Sequence, residues 1–524
     1  MTLPAPIIAM LRADFYPHRP PNVTLVQSHI SYVLLAGDEV YKIKKPVRFS
    51  FLDFSTLPQR RHFCHEEIRL NRRLAGDVYR GVVAVCRDGA DYRLGAEDDP
   101  QAVEYAVHMR RLPDDRMLDR LLDHNQVSLE MIDRVAARLA DFHRAAASGA
   151  DVAANGDPAA IWRVLEDNYL NARPFRGATI AAADDDAIQA FARSFLEDHD
   201  GLFRERQAEG RIRDGHGDLH TEHICYADGI IIFDCIEFNP RFRYCDVASE
   251  IAFLAMDLDY HHHPEHAVHL VARYSAYAND TRLRRLLPFY QCYRAYVRGK
   301  VDSLKSVEDE VAAGDRAAAR QSAERHFALA YRYTWAYRPL LVVICGLSGS
   351  GKSTLAASLQ ARTGFVHISS DVVRKRLAGV APDARAPDAY EAGLYSREHS
   401  ARTYRQMLDT AGLRLAAGGG VILDATFQRR ANRDAARRLA ADHGVPLLFV
   451  ECRCDEDSAR RRLSERMARG GSPSDADWRV FLEQRRRYDP FTAAEGSPQL
   501  VIDTTAGFTT PTRTIEEALR RLQS

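Results

Sequence analysis

The chain lacks any apolar run long enough to cross a bilayer. Its apolar stretches stop at the length of Leu340–Cys345, against the roughly 20 residues a spanning helix needs. It also lacks a basic start leading into a long apolar segment, and Asp14 comes early, so neither a secretory signal nor membrane attachment is expected. Nine cysteines are scattered without a CxxC pair, which argues against a disulfide framework and for reduced thiols in a cytoplasm. Net charge is absent too: 72 basic side chains balance 72 acidic ones. That balance is uneven along the chain. From Arg338 onward 29 basic stand against 22 acidic side chains, a local +7. Such an excess suits anionic nucleotides and is too small for long nucleic acid. No internal repeat is present.

At 524 residues the chain should divide into at least two domains. Residues 29–47 alternate and are rich in β-formers around Gly37-Asp38, predicting a β-hairpin. The stretch 57–75 has Phe63, Ile68, Leu70 and Leu74 at near-helical spacing. Residues 102–113 read as a strand, and 115–148 and 158–212 as helices. A short strand follows at Ile230–Phe233, then helices from Asp246 to about Trp335. Pro339, after an aromatic-rich helix, marks a boundary between domains at 1–335 and 338–524. Beyond it strands and helices alternate: LLVVICG, FVHIS, GVILDA, PLLFVEC and QLVIDT, each followed by a helix. Alternation of this kind predicts an α/β parallel sheet flanked by helices. The Ala/Pro/Gly/Asp-rich segment 377–394 is expected to be a mobile loop.

Residues 346–354, GLSGSGKST, match the phosphate-loop pattern GxxxxGK[ST] between an apolar strand and a helix. Gly346, Gly349 and Gly351 let backbone N–H groups, with those of Ser348, Ser350 and Thr354, converge on phosphate oxygens. Lys352 would neutralise the outer phosphates, and the Ser353 hydroxyl could ligate Mg²⁺. Asp371, after the second strand, falls at the sheet edge where ligands bind. Asp424 ends the third strand and suits a magnesium site. Arg462 and Arg466 lie one helical turn apart beside Gly470-Gly471, where arginines of a closing lid could stabilise a transferring phosphoryl group. The bland alternative is a solvated helix face.

Together GLSGSGKST, SSDVVRKRL, VILDATF and RRLSERM resemble the small P-loop kinases related to phage polynucleotide kinase, zeta toxins and gluconate kinase. The resemblance implies ATP-dependent phosphoryl transfer, with Asp371 as the base for an acceptor hydroxyl and Arg374 holding the substrate.

The N-terminal residues resemble the aminoglycoside and choline phosphotransferases, which implies an α+β protein-kinase-like fold. By that resemblance Lys42 in Val40-Tyr41-Lys42 would bind nucleotide phosphates, with Lys44 on the same strand face as the competing choice. Glu67, or Glu66, would pair with that lysine, and the Glu104–Leu112 strand would be the adenine hinge. In HGDLHTEH (216–223) Asp218 would be the catalytic base, and Asp234 the metal-binding carboxylate. Two departures stand out. No GxGxxG is present, so only Ser28, His29 and Ser31 could cover phosphates. His223 occupies the place of the family's metal-binding asparagine, and an imidazole suits Mn²⁺ better than Mg²⁺. Asn239 is the alternative oxygen ligand. Asp246 precedes an apolar run and reads as a helix cap. His261–His263 with His266 lack cysteine or carboxylate partners at ligand spacing and read as a polar helix end.

The whole chain therefore resembles a fusion of an aminoglycoside phosphotransferase-like domain with a P-loop kinase (the bifunctional aminoglycoside phosphotransferase/ATP-binding protein family). A cytoplasmic, bifunctional kinase acting on a small-molecule hydroxyl, with ATP and Mg²⁺ as cofactors, is the expected function. The alternatives are a 5′-hydroxyl polynucleotide kinase, and a P-loop kinase gated by a non-catalytic N-terminal ligand domain. Oligomeric state and acceptor identity stay open.

Overall fold

A computed structural model describes residues 3–49, 51–309, 311–336, 339–381, 396–469, 474, 476–492, 495 and 499–523. The chain forms two compact units, Met1–Ala330 and Tyr331–Ser524.

The first unit opens on a six-stranded antiparallel sheet. Its strands are β1 (Val23–Gln27), β2 (Ser31–Ala36), β3 (Glu39–Lys44), β4 (Tyr79–Asp88), β5 (Asp91–Gly95) and β6 (Ala102–Arg110), in the order β1-β2-β3-β6-β4-β5. The expected hairpin is β2–β3, with Val33 opposite Lys42. Gly37 takes φ 67° in the turn, a conformation that costs glycine little. Helix α1 spans Leu57–Ala75, matching the expected helix, and begins with a capping box between Thr56 and Gln59; each side chain satisfies a donor the helix start leaves free. Its inner face buries Cys64 and Ile68 against Tyr79, Ala84, Tyr105 and Val107 of the sheet. That face also carries the wholly buried Glu67 toward β3.

The rest of the unit is mainly helical. The short strand pairs Ile224–Cys225 with Ile231–Ile232, and Ile212–Asp214 with Tyr244–Asp246, frame the HGDLHTEH segment. Helix α2 (Val247–Tyr260) is buried on nearly every side and packs against α3 (Leu283–Lys305). As expected, Asp246 caps it, accepting from Ala248 N. The same carboxylate takes two bonds from Arg206, which also grips Asp280. Arg206 is 0% exposed, so one cation neutralises two buried carboxylates. His263 and His266 reach the separate backbone carbonyls of Leu122 and Val127, the polar helix-end role expected of that run.

In the second unit five parallel strands stand in the order β8-β9-β7-β10-β11: β7 (Leu341–Cys345), β8 (Val366–Ser369), β9 (Val421–Asp424), β10 (Leu447–Arg453) and β11 (Gln499–Asp503). Each expected strand is present. All five residues of β7 are buried, as a central strand covered on both faces requires. Helices α4 (Lys352–Thr363), α5 (Ser370–Leu377), α6 (Arg397–Ala416), α7 (Arg430–Asp442), α8 (Glu456–Arg469), α9 (Trp478–Arg486) and α10 (Thr509–Gln523) connect or flank them. β7 pairs on one side with β9 and on the other with β10, so its C-terminal end opens where the strand order switches. Most of the segment 377–394 and the Gly470-Gly471 pair lie outside the described residues. No helix among the described residues is long and apolar enough to cross a membrane.

Replacing Arg206 with methionine should destabilise the first unit by about 3–5 kcal/mol, because two buried carboxylates lose their counter-charge. Urea unfolding of the full chain checks this through its first transition. An unmoved midpoint would show that Asp246 and Asp280 are neutralised by other means.

Candidate active sites

In the first unit, β3 and α1 bring two lysines onto one carboxylate. Lys42 Nζ lies 2.9 Å from Glu67 Oε1 and 2.5 Å from Asp234 Oδ1. Lys44 Nζ lies 2.8 Å from Glu67 Oε2 and also bonds Glu237. Burial separates the two candidates. The Lys44 side chain is fully enclosed, beneath the Phe54 ring, whereas Lys42 keeps 14% of its side chain exposed and faces Asp234. Glu66, the alternative partner, is instead a surface residue paired with Arg69. Burial by itself would raise the Glu67 pKa; the two ammonium groups more than offset it and hold the carboxylate below its usual range.

Asp234 has φ 61°, a left-handed conformation that a non-glycine residue adopts at a cost of order 1–3 kcal/mol. Its N–H donates to Tyr79 Oη at 3.2 Å. The His216–His223 segment folds beside it. His223 Nδ1 is 2.8 Å from the Asp218 carbonyl oxygen, to which it can only donate. That bond leaves the Nε2 lone pair free, and Nε2 lies 3.5 Å from Asp234 Oδ2. His220, which the sequence reading passed over, places Nε2 3.5 Å from Asp218 Oδ2. Asp218, His220 and His223 offer ligand atoms all within 4.8 Å of one another. Burial would raise the Asp218 pKa, but the charge and hydrogen bond of His220, with His223 and Arg298, hold it well below the usual carboxylate range. Asp234 is likewise held low against burial, by Lys42 and His223. Burial and the neighbouring His220 push the His223 pKa down, which favours the neutral imidazole a metal needs.

Three buried groups brace this segment, and none had a local signal. Glu250 on α2 accepts from the backbone N–H of His216 (2.7 Å) and Gly217 (2.5 Å). Its other oxygen meets His143 Nε2 at 2.8 Å, and His143 Nδ1 meets Tyr274 Oη at 2.7 Å. Arg294 on α3 donates to Gly217 O at 3.0 Å. Asp257 accepts from Thr221 N and Oγ1.

Two expectations need correction. Asn239 caps the short helix Pro240–Arg243 and donates to Phe51 O, so its amide is committed away from Asp234. Ser31 is 1% exposed within β2 and cannot cover phosphates. Ser28 holds the β1–β2 turn, accepting from Ser31 N, and His29 pairs with Glu308.

In the second unit the 346–354 loop joins β7 to α4. Gly346, Gly349 and Gly351 take φ 133°, 81° and 83°. A Cβ on Gly346 would sit 2.4 Å from Cys452 O, so the loop needs glycine for space as well as for conformation. Lys352 Nζ donates to Leu347 O at 2.8 Å. Ser353 and Thr354 are exposed at the start of α4, with the helix dipole behind them. The Ser348 N–H donates to Gln484 Oε1 on α9, a contact the sequence did not suggest. Asp424 stands beside Ile344 and Ser369 at the same edge of the sheet. His367 Nε2, also unanticipated, lies 3.2 Å from Asp424 Oδ2. Asp371 opens α5 and pairs with Arg374 at 2.6 Å. Arg462 donates to Thr504 Oγ1 and O, and Thr504 Oγ1 donates to Ser350 O of the loop. Arg466 donates to Ala476 O. Both arginines are thus held against protein groups, and the solvated face of α8 falls to Arg461 and Arg469.

Comparisons with known proteins cover both units. The family model of an AAA domain matches residues 341–491. The uncharacterized protein Rv2004c of Mycobacterium tuberculosis (strain ATCC 25618 / H37Rv) is 32% identical over 459 residues, 87% of this chain and 88% of that protein. The chain belongs to that family. An alignment of 459 residues is longer than either unit, so the relationship takes in both. A shikimate kinase of Bradyrhizobium diazoefficiens is 29% identical over 137 residues, 24% of this chain and 64% of that enzyme. Among solved structures, a gluconokinase from Sinorhizobium meliloti 1021 is similar at 20% identity over 35% of this chain and 93% of its own, with a TM-score of 0.25. The second unit is a parallel-sheet P-loop domain of the kinase-like kind. The first unit is an antiparallel sheet joined to helices.

The Glu250 brace carries a pH signature. Burial opposes its ionisation, but the bond and charge of His143, then His216 and the Gly217 N–H, bring its pKa down to about 2 from 4.5. A depressed carboxylate stabilises the fold fully above its unfolded value and loses that contribution as pH falls through the folded one. The first unit should therefore lose stability between about pH 4.5 and pH 2. Glu250→Gln should be less stable at neutral pH and show a flatter decline over that window in pH-dependent urea unfolding. An unchanged slope would remove Glu250 as the titrating group.

Proposed function

We propose that the chain is a bifunctional ATP-dependent phosphotransferase: a P-loop kinase unit and a protein-kinase-like, aminoglycoside phosphotransferase-like unit, each acting on a hydroxyl of a small molecule. The observation that carries the first part is the strand–loop–helix of residues 341–363, with three left-handed glycines, Lys352 and Ser353, beside Asp371 and Asp424. Loop N–H groups and Lys352 would hold the phosphates of ATP. Asp371 would take the proton of the acceptor hydroxyl as its oxygen bonds to the γ-phosphorus, the bond to the bridging oxygen breaks and ADP leaves. Arg374, now paired with Asp371, would turn to the acceptor. The local relative that is a shikimate kinase supports a small hydroxylated acceptor. A 5′-hydroxyl polynucleotide kinase is disfavoured by the modest charge excess.

The second part rests on Lys42, Glu67, Asp234, Asp218 and His223 meeting in one cluster from four separate elements. The sheet with α1 between β3 and β4 supports the protein-kinase-like reading. Lys42 would bind phosphates and Asp218 accept the acceptor's proton. Metal ions would supply charge neutralisation on the phosphates. Ser353 and Asp424 suit Mg²⁺ in the P-loop unit. In the first unit Asp234 and the free Nε2 of His223 form a mixed oxygen–nitrogen pair that fits Mn²⁺ better.

Lys352→Ala should abolish transfer by the P-loop unit. Any transfer that remains should disappear with Asp218→Ala or Asp234→Ala, run faster with Mn²⁺ than with Mg²⁺, and shift toward Mg²⁺ in His223→Asn. Assays of the full chain with each metal decide: loss of all ATP turnover and all Lys42-dependent ATP binding in Lys352→Ala would leave a single kinase gated by its N-terminal unit.

Asp371→Asn should lower kcat by about 10²–10⁴ with little change in nucleotide affinity, since a base acts on the acceptor alone. Weakened ATP binding at unchanged kcat would move Asp371 to the metal.

A further inference from the structure

The first unit contains a cavity of ≈340 Å³ between the helix Pro158–Ala172, the segment Arg241–Asp246 and α3. Its walls carry the rings of Phe242, Tyr244, Tyr290 and Tyr293 and the cations Arg163, Arg241 and Arg294. Arg294 is 5% exposed. Its guanidinium donates to Ser249 Oγ and Gly217 O at 3.0 Å and approaches Cys245 Sγ at 4.0 Å. All three partners are neutral, and among the described residues no carboxylate forms an ion pair with it. The one acid on the wall, Asp246, is already held by Nε and Nη2 of Arg206. Arg163 is exposed, and Arg241 lies 3.9 Å from Asp167 with more than half of each side chain in solvent.

Arg294 touches only neutral partners, the carboxylates of Glu250 and Asp218 acting on it from beyond ion-pair distance, and a cavity of this size with aromatic walls is suited to a planar or ring-shaped ligand. Arg294 links the cavity wall to the HGDLHTEH segment: the Gly217 carbonyl it holds belongs to the residue before Asp218. We propose that this cavity anchors a small ring compound bearing an oxyanion (a phosphate or carboxylate), and that this compound is the hydroxyl acceptor of the first unit. Its oxyanion meets Arg294, with Arg163 and Arg241 at the mouth, and its ring lies among the tyrosines. The acceptor role rests on the N-terminal phosphotransferase reading; the anchoring does not. In the transfer the acceptor oxygen bonds to the γ-phosphorus of ATP, the bond to the β–γ bridging oxygen breaks, the hydroxyl proton passes to Asp218 and ADP leaves. A polycationic aminoglycoside would meet repulsion here, so the charge of the cavity argues for acceptors of the opposite sign.

The test uses the full chain carrying Lys352→Ala, titrated calorimetrically with phenyl phosphate and, separately, with kanamycin. Phenyl phosphate should bind and kanamycin should not. Arg294→Met should weaken phenyl phosphate binding about tenfold or more, the loss expected for a charge-assisted hydrogen bond. Because Arg294 also supports Gly217, the exposed Arg163→Glu is the companion variant; it should weaken binding without affecting folding. No heat from phenyl phosphate at millimolar concentration, or binding indifferent to both variants, overturns the proposal. ATP binding that depends on Lys42 is read on the same protein. If ATP binds and phenyl phosphate does not, the cavity assignment falls and the kinase reading stands. If phenyl phosphate binds through Arg294 and Arg163 while no Lys42-dependent ATP binding is found, the anchoring stands, and the acceptor role falls together with the kinase reading.

Discussion

Glu67 lies wholly inside the first unit with a lysine ammonium on each carboxylate oxygen. A lone carboxylate there would be protonated or would not be buried at all. Two lysines make it permanent and set a geometric demand in return. Lys42 and Lys44 must project from the same face of β3, and α1 must cross that face at a depth which places Glu67 between them. Burial of Lys44 by Phe54 and Glu237 anchors one side of the arrangement, and this frees Lys42 to divide its charge between Glu67 and Asp234. The position of Asp234 relative to the sheet is thereby tied to the same carboxylate.

That tie explains how Asp234 can tolerate φ 61°. Strain of this size persists only where surrounding contacts over-determine the backbone. Here the side chain is held by Lys42 and the N–H by Tyr79, and the preceding carbonyl, of Phe233, meets His216 Nε2. The phosphate loop of the second unit meets a similar conformational demand differently. Its left-handed positions are glycines, which adopt them at little cost, and the close approach of Cys452 O excludes any side chain. One unit uses side-chain interactions to hold a left-handed residue; the other uses glycines that need no holding.

What could be read from the sequence follows from this difference. The phosphate loop, the five parallel strands, α1 and the β2–β3 hairpin all depend on residues near one another in the chain, so their periodicity and glycine spacing are visible. Asp218, Asp234 and Lys42 could be singled out because their types recur at characteristic places, but that Lys44 is enclosed while Lys42 faces Asp234 depends on burial, which the strand pattern leaves open. Glu250, His143, His367 and Gln484 act through partners far away in the chain, and a glutamate in an apolar helix carries no local mark of the loop it will brace. His220 was nearer to hand, two residues from Asp218. Its contribution is electrostatic and depends on how the loop turns.

His223 is held by the backbone of the same segment it belongs to. An asparagine at this position would present oxygen or nitrogen according to how its amide is turned, whereas an imidazole must place one ring nitrogen on each side. The Asp218 carbonyl takes the Nδ1 proton, which fixes the tautomer and directs the Nε2 lone pair toward Asp234. Second-contact bonds of this sort are how proteins orient histidine ligands. Burial and His220 push the His223 pKa down, while Lys42 does most to hold the facing Asp234 carboxylate below its usual range against burial.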